Sequence, residues 1–304
     1  RLTLLMKILS FILIPHIIDL LPIQQVLRHI QRICLTIKNK LSLQDLLMIC
    51  KEKAQRLLKE KNTKGRILVM KQKDYVINAM VKNGGYATFQ QLNQLVDFNT
   101  WGTKTPFASI RRIVQTNDEF FKVQPGLWAL KKYENDVLKK FRITEKNEKS
   151  IEEFTHSYYQ GIIVEIGNLR QHKTYVPPQD KNKMFLETKL SKITTIDKIY
   201  DFTYPEILRK AKTVDTIWFN ERNMPCAFYE VEHSTDIKNS LNKFYELQDF
   251  RAKFYIVAAK ERKCQFEEII LSSIYKPIKD LVEFVNYDAL ISQYEHEHNL
   301  SRVI

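Results

Sequence analysis

The chain has 304 residues, which is long enough for two domains that each bury a core. Hydrophobic residues make up 44% and charged residues 27%, a globular rather than a disordered composition. Only 7 glycines and 9 prolines exclude a collagen-like or linker-dominated protein. The four cysteines (Cys34, Cys50, Cys226 and Cys264) form no C-x-x-C pair. This argues against a disulfide scaffold and a structural zinc site, and it favours a cytoplasmic location.

The net charge of +13 is unevenly distributed along the chain. Residues 1–69 carry 13 basic and 4 acidic residues, residues 70–135 carry 9 and 5, and residues 136–304 carry 26 of each. A general affinity for polyanions is therefore expected in the first 135 residues. The C-terminal half, which is neutral, has to act through specific chemistry.

Residues 1–69 read as a basic and apolar N-terminal extension, because the composition changes at Met70. The apolar stretch over residues 8–18 follows two basic residues, as in a membrane anchor or signal peptide. A proline and polar residues interrupt the span, and no small-residue cleavage pattern follows, so we expect no membrane partner. The interpretation that we favour over a membrane segment is an upstream extension that is not native to the protein. Residues 42–60 nevertheless have the pattern of a helix capped by Ser42.

The pattern of residues 70–133 predicts a winged helix. In chain order it predicts helices over residues 73–82 and 88–96, a third helix that begins at Thr105-Pro106, and strands over residues 120–123 and 127–130. Arg111 and Arg112 lie beside the apolar stripe of the third helix, and Lys104 precedes it. These three basic residues predict contact with DNA. A small protein-interaction module would show the same pattern.

A family resemblance supports the winged helix. It rests on three runs: residues 105–112 (TPFASIRR), residues 120–123 (FFKV) and residues 126–130 (GLWAL). In these runs the segment over residues 70–132 resembles the HARE-HTH winged-helix family. Members of that family occur in chromatin and transcription proteins and fused to bacterial restriction endonucleases. The resemblance implies a module that faces DNA.

Residues 134–153 are predicted to form a helical connector, because their first part is rich in Lys, Glu and Asn and lacks Gly and Pro. The segment over residues 154–304 is then the second domain. Its informative part begins with two β-rich runs over residues 214–219 and 226–232, separated by turn-forming residues.

An antiparallel hairpin centred between Arg222 and Asn223 would place Asp215 opposite Glu230. Directly opposed residues have Cβ atoms about 4.5–5.5 Å apart. Glu232 shares the face of Glu230, since side chains alternate along a strand. Opposed carboxylates on a half-buried surface repel each other, so protons or a divalent cation must neutralise them.

Three carboxylates without a paired His or Cys suit Mg²⁺, with Mn²⁺ as a substitute, better than zinc. His233 follows directly, but strand alternation turns its side chain to the opposite face, which favours a structural role.

The spacing of Asp215, Glu230 and Glu232, with a following amphipathic helix over residues 236–250 and an apolar strand over residues 254–259, resembles the PD-(D/E)xK nuclease superfamily. This resemblance implies a mixed sheet flanked by helices, so the whole chain would be of the α+β or α/β class. It also implies Asp215 and Glu230 as metal ligands. Glu165, on the helix predicted over residues 154–169, would be the acid that many members carry there.

The third motif position departs from the family, which usually has Lys where this chain has Glu232. Some restriction enzymes have Glu in that position. A Lys from elsewhere could also fill the role; Lys238 and Lys243 on the following helix are the nearest candidates, with Lys181 and Lys183 as further ones.

These features together predict a Mg²⁺-dependent restriction endonuclease that hydrolyses duplex DNA as a homodimer, because two copies are needed to cut both strands. The alternative is a non-catalytic DNA-binding or regulatory protein with a degenerate nuclease fold.

Overall fold

The computed structural model describes residues 70–141, 143 and 148–301. These residues belong to one compact unit that begins at Met70. The predictions for residues 1–69, including the helix over residues 42–60, lie outside the described residues. No helix within the described part of the chain has the length and apolar character needed to cross a membrane.

The N-terminal module, residues 72–130, combines helices with a small antiparallel sheet. Its elements are α1 (Gln72–Lys82), β1 (Tyr86–Thr88), α2 (Phe89–Leu95), α3 (Pro106–Thr116), β2 (Phe120–Gln124) and β3 (Leu127–Leu130). Strand β3 lies between β1 and β2. The three helices and the hairpin predicted for this segment are confirmed as elements. Strand β1 was not predicted, because its three buried residues show no alternation of polar and apolar side chains.

Local signals explain the ends of these helices. Thr88 caps α2 as predicted, since its hydroxyl accepts a hydrogen bond from the Gln91 backbone N–H at 3.2 Å. Pro106 occupies the first position of α3, where a missing N–H costs nothing. The predicted side-chain cap from Thr105 does not form.

The rest of the described chain forms a mixed sheet with helices around it. The elements are α4 (Glu134–Lys140), α5 (Glu148–Leu169), β4 (Lys173–Tyr175), β5 (Met184–Phe185), β6 (Thr188–Lys189), α6 (Leu190–Ile193), α7 (Pro205–Ala211), β7 (Thr216–Phe219), β8 (Pro225–Glu232), α8 (Ile237–Glu246), β9 (Lys253–Ala258), α9 (Lys263–Ile270), β10 (Val282–Asn286) and α10 (Tyr287–Leu300). The main sheet has the order β10-β9-β8-β7-β4. Strands β8, β9 and β10 are parallel, whereas β7 is antiparallel to both β8 and β4. This confirms the predicted mixed sheet flanked by helices.

The two faces of this sheet pack against different helices. Trp218, Tyr229 and Val231 belong to a core cluster with α5 and α10, whereas Ile217 and Phe228 belong to a second cluster with α8. Alternate residues of β7 and β8 thus enter opposite cores, as the period of a strand requires. The central strand β8 is therefore buried along nearly its whole length.

The N-terminal module shares one of these cores. Tyr86, Leu127 and Ala129 of its sheet belong to the same buried cluster as α5 and α10. Gln90 of α2 also lies within hydrogen-bond distance of Tyr294 and His298 on α10. Helix α10 therefore connects the module to the main sheet.

Helix α5 passes close to the β5–β6 hairpin at Gly161. A Cβ atom at this position would lie 2.2 Å from the Phe185 ring, so only glycine fits without movement of the ring. We expect Gly161→Ala to lower the free energy of unfolding by about 1–3 kcal/mol through overpacking. Urea denaturation monitored by circular dichroism checks this.

The matched control is the same substitution in a Phe185→Ala background. Without the ring, Gly161→Ala should be neutral or stabilising by up to about 1 kcal/mol, because alanine is the better helix former. An equal loss in both backgrounds would show that the ring does not set the requirement for glycine.

Candidate functional site

The predicted hairpin register is confirmed in the residues that follow Asp215. Thr216 pairs with Tyr229, and Ile217 pairs with Phe228, as predicted. Asp215 directly precedes β7, so the same register extended by one residue sets it against Glu230. The register shifts only near the turn, between Trp218 and Phe219.

The three acids of this hairpin are buried. Asp215 is 9% exposed, Glu230 3% and Glu232 4%. Burial in a medium of low dielectric constant disfavours ionised carboxylates, so each one needs a compensating partner.

Asp215 obtains its compensation from the α5 side of the sheet. Its Oδ2 accepts a hydrogen bond from the Val231 backbone N–H at 2.8 Å and lies 3.1 Å from His156 Nε2. Burial by itself raises the pKa of Asp215, but the charge and hydrogen bond of His156, together with the Val231 N–H, lower it below its usual value. These partners therefore favour the ionised form of Asp215.

Glu230 obtains its compensation from α8 on the other side. Lys243 Nζ donates to both carboxylate oxygens of Glu230, at 2.9 and 2.8 Å, and to the Thr213 carbonyl at 3.0 Å. Burial and the nearby charge of Asp215 raise the pKa of Glu230 well above its usual value, against the opposing effects of Lys243 and Ser240. The pKa of Glu230 is thus raised, whereas the pKa of Asp215 is lowered.

Hydroxyl groups hold Glu232. Ser240 and Thr235 both donate to its carboxylate, and Ser240 Oγ also lies 3.0 Å from Glu230 Oε2. Burial raises the pKa of Glu232 despite the bond from Ser240. Ser240 was not among the residues predicted for the site. Its position three residues after Ile237, on the buried face of α8, was the available signal.

The two candidate lysines on α8 have different environments. Lys243 is part of the cluster, as described above. Lys238 is exposed, and its ammonium group makes no hydrogen bond or ion pair with any described residue. Of the two further candidates, Lys183 binds Asp180 at 2.6 Å, whereas Lys181 binds the Asp197 carbonyl at 2.6 Å.

The structure adds three residues that the sequence analysis did not select: His156, Gln160 and Asp180. His156 and Gln160 lie one turn apart on α5, and Asp180 is buried in the loop after β4. Gln160 Nε2 donates to Asp180 Oδ2 at 3.0 Å and to the Asp215 carbonyl at 2.5 Å. Nothing in the local pattern of residues 156–180 shows that these side chains meet Asp215.

Glu165 does not join this cluster. It accepts a hydrogen bond from Tyr294 on α10, and its carboxylate lies 3.9 Å from His298. Nine residues separate it from His156, which turns it to the opposite side of α5 at 3.6 residues per turn. Glu165 therefore does not lie beside Asp215 as expected; the residue of α5 that does so is His156. His233 also lies outside the cluster of potential ligand atoms around Asp215.

The three predicted DNA-contacting residues of the N-terminal module differ in their availability. Lys104 and Arg112 are exposed. Arg111 is ion-paired with Glu295 on α10, and its guanidinium lies 4.5 Å from the centre of the Phe89 ring. The pairing partners of Arg111 come from outside α3, so the sequence of that helix could not show them.

The described part of the chain is thus a mixed sheet flanked by helices, and its central hairpin buries three acids beside a lysine. The family model of the Type II restriction enzyme NmeDI C-terminal domain matches residues 138–303. This match covers more than half of the chain, so the chain belongs to that family of restriction endonucleases, for which DNA is the substrate. The N-terminal module precedes the matched region. No curated protein and no solved structure matches the chain.

The Glu230–Lys243 pair predicts a difference between the two lysines of α8. We expect Lys243→Met to lower the free energy of unfolding by about 3–5 kcal/mol, since it leaves a buried carboxylate without its partner. Lys238→Met, the matched control on the same helix, should change it by no more than about 0.5 kcal/mol. Urea denaturation at neutral pH measures both.

The double variant Glu230→Gln/Lys243→Met tests the cause. It should recover most of the loss, because no uncompensated charge is then buried. Equal losses for Lys243→Met and Lys238→Met would contradict a structural contribution from the pair.

Proposed function

We propose that this chain is a metal-dependent endonuclease of the PD-(D/E)xK type that hydrolyses phosphodiester bonds of duplex DNA. The observation that carries the proposal is the buried pair of Asp215 and Glu230 at the start of one hairpin, with Lys243 bound to Glu230. Membership in a restriction-endonuclease family supports the same reaction class.

The donor set at this position suits a divalent cation. Asp215 and Glu230 offer hard carboxylate oxygens, which Mg²⁺ and Mn²⁺ accept, and the repulsion between the two charges favours a cation beside them. Such a cation, when bound, polarises the scissile phosphate and lowers the pKa of an attacking water. Asp215 and Glu230 are the residues we propose to hold it.

The side chains around the acids have supporting roles in this proposal. The motif usually has a lysine at its third position, where this chain has Glu232. In this proposal Lys243, on α8, supplies the missing positive charge. It would orient the attacking water or balance the charge that develops on the phosphate. Glu232 accepts hydrogen bonds from Ser240 and Thr235, and in this proposal it would keep these two hydroxyl groups in position.

We further propose that the N-terminal module is a winged helix that binds DNA. Its helices α1, α2 and α3 are followed by the β2–β3 hairpin, the element order of that fold. The exposed Lys104 and Arg112 would contact phosphates at α3, whereas Arg111 is already paired with Glu295. Cleavage of both strands would require two copies of the chain, so we propose a homodimer on DNA.

A second candidate is a non-catalytic DNA-binding or regulatory protein with a degenerate nuclease fold. The feature that favours it is Glu232, which replaces the usual lysine of the motif. If this candidate is correct, the protein binds DNA but does not cleave it in the presence of any divalent cation.

Plasmid cleavage in the presence of Mg²⁺ or Mn²⁺ tests the catalytic proposal. We expect Asp215→Asn and Lys243→Met each to lower the cleavage rate by about 10²–10³, as for the loss of a charge-stabilising group. Lys238→Met should cleave like the wild type, and Lys243→Arg, which keeps the charge, should retain more activity than Lys243→Met. Melting curves show which variants are folded at the assay temperature. A wild-type chain that binds DNA but never cuts it would support the second candidate.

The salt dependence of duplex binding tests the role of α3. Each lost phosphate contact should reduce the slope of log K against log salt by about 0.9, so Arg112→Ala should flatten the slope by that amount. Arg111→Ala should change it less, because its guanidinium is held by Glu295. Fluorescence anisotropy at several salt concentrations gives the slopes. Identical slopes for Arg112→Ala and wild type would exclude this surface as the DNA contact.

A further inference from the structure

Three potential metal ligands of different kinds converge beside the hairpin. His156 comes from α5, Asp180 from the loop after β4, and Asp215 from the residue before β7. One ligand atom of each lies within 4.8 Å of the others. Among the described residues this is the only group of three such side chains with that spacing.

The surroundings of this group are those of a built site rather than of a surface cluster. Asp180 is 2% exposed, and the side chain of His156 is 22% exposed. Gln160 is fully buried, and its amide nitrogen bridges Asp180 and the Asp215 carbonyl at 3.0 and 2.5 Å. Its Oε1 has no hydrogen-bond partner among the described residues, and neither has His156 Nδ1. Buried polar atoms usually have hydrogen-bond partners, so these two atoms are able to bind a further group.

Two side-chain nitrogen atoms lie close to these carboxylates in the structure. Lys183 Nζ lies 2.6 Å from Asp180 Oδ1, and His156 Nε2 lies 3.1 Å from Asp215 Oδ2. The Lys183 side chain is 35% exposed, so it can move into solvent when another cation takes its place. Once Lys183 has moved away, the two carboxylates supply the negative charge that a metal ion requires.

We propose that His156, Asp180 and Asp215 form a mixed nitrogen and oxygen site that binds Mn²⁺ in preference to Mg²⁺. The inference deepens the proposed nuclease function and rests on it, because Asp215 is shared with the acids proposed for catalysis. In this proposal His156 is the metal ligand from α5, the role that was expected of Glu165.

The chemistry of the ligands sets the preference. Imidazole nitrogen is a good ligand for first-row transition metals, whereas Mg²⁺ prefers oxygen ligands and gives up its water reluctantly. Gln160 holds Asp180 and the backbone of Asp215 in place, as outer-shell groups do in metal sites. Without the imidazole, the remaining oxygen atoms would not distinguish the two ions in this way.

Electron paramagnetic resonance of the full chain with Mn²⁺ tests this site directly. Bound Mn²⁺ in the wild type should show spin-echo modulation from a coordinated ¹⁴N nucleus, and His156→Asn should lose it. We also expect His156→Asn to weaken Mn²⁺ binding at least about tenfold, the lower end of what even outer-shell substitutions cost. Its affinity for Mg²⁺, measured by calorimetry, should stay within about twofold of the wild type, because Mg²⁺ makes little use of nitrogen ligands.

His172→Asn is the matched control. His172 is half-buried and precedes β4, whose Lys173 pairs with Phe219 at the end of β7 far from Asp215. This variant should keep the nitrogen signal and the affinity for Mn²⁺. Asp180→Asn should weaken the binding of Mn²⁺ and keep the nitrogen signal at saturating metal.

The outcome does not depend on DNA cleavage. Mn²⁺ that binds without ¹⁴N modulation, or that binds equally to wild type and His156→Asn, would overturn the site whether or not the protein cuts plasmid DNA. A nitrogen signal that is lost only in His156→Asn supports the site even if no cleavage occurs, in which case the proposed nuclease function fails separately.

Discussion

Three carboxylates buried at the centre of one sheet must be neutralised, and much of the arrangement around the site follows from that requirement. Asp215, Glu230 and Glu232 are almost fully withdrawn from solvent. Ionised groups in such a position are very costly unless they are paired or hydrogen-bonded. The protein meets this cost with Lys243 and Ser240 from α8 on one face and His156 from α5 on the other.

This neutralisation joins elements that are distant in the sequence. Asp215, just before β7, is bound from α5, whereas Glu230, within β8, is bound from α8. Helix α5 also packs through its apolar side chains against Trp218 and Tyr229. The same core includes α10 and part of the N-terminal module. Both the polar site and this apolar core therefore depend on α5.

The hairpin was the most predictable part of the candidate site. Its register could be deduced because a strand alternates strictly and a turn fixes the pairing, and the pairs from Thr216 to Trp218 confirm it. The buried side of α8 was equally accessible, since Ile237, Leu241 and Phe244 recur at helical spacing and are all buried. The cap at Thr88 and the position of Pro106 at the start of α3 followed from the same kind of local signal.

The sequence by itself therefore determined the class of the fold and the register of the hairpin that carries Asp215 and Glu230, because these depend on local periodicity, and it made Lys243 a candidate. The tertiary structure decided the rest. It selected Lys243 over Lys238, brought in His156 and Asp180, and directed Glu165 towards Tyr294. The physical reason is that a local pattern shows which residues share a face of a helix or strand. Which part of another element that face meets depends on how helices and sheet pack together, and only the folded chain contains that information.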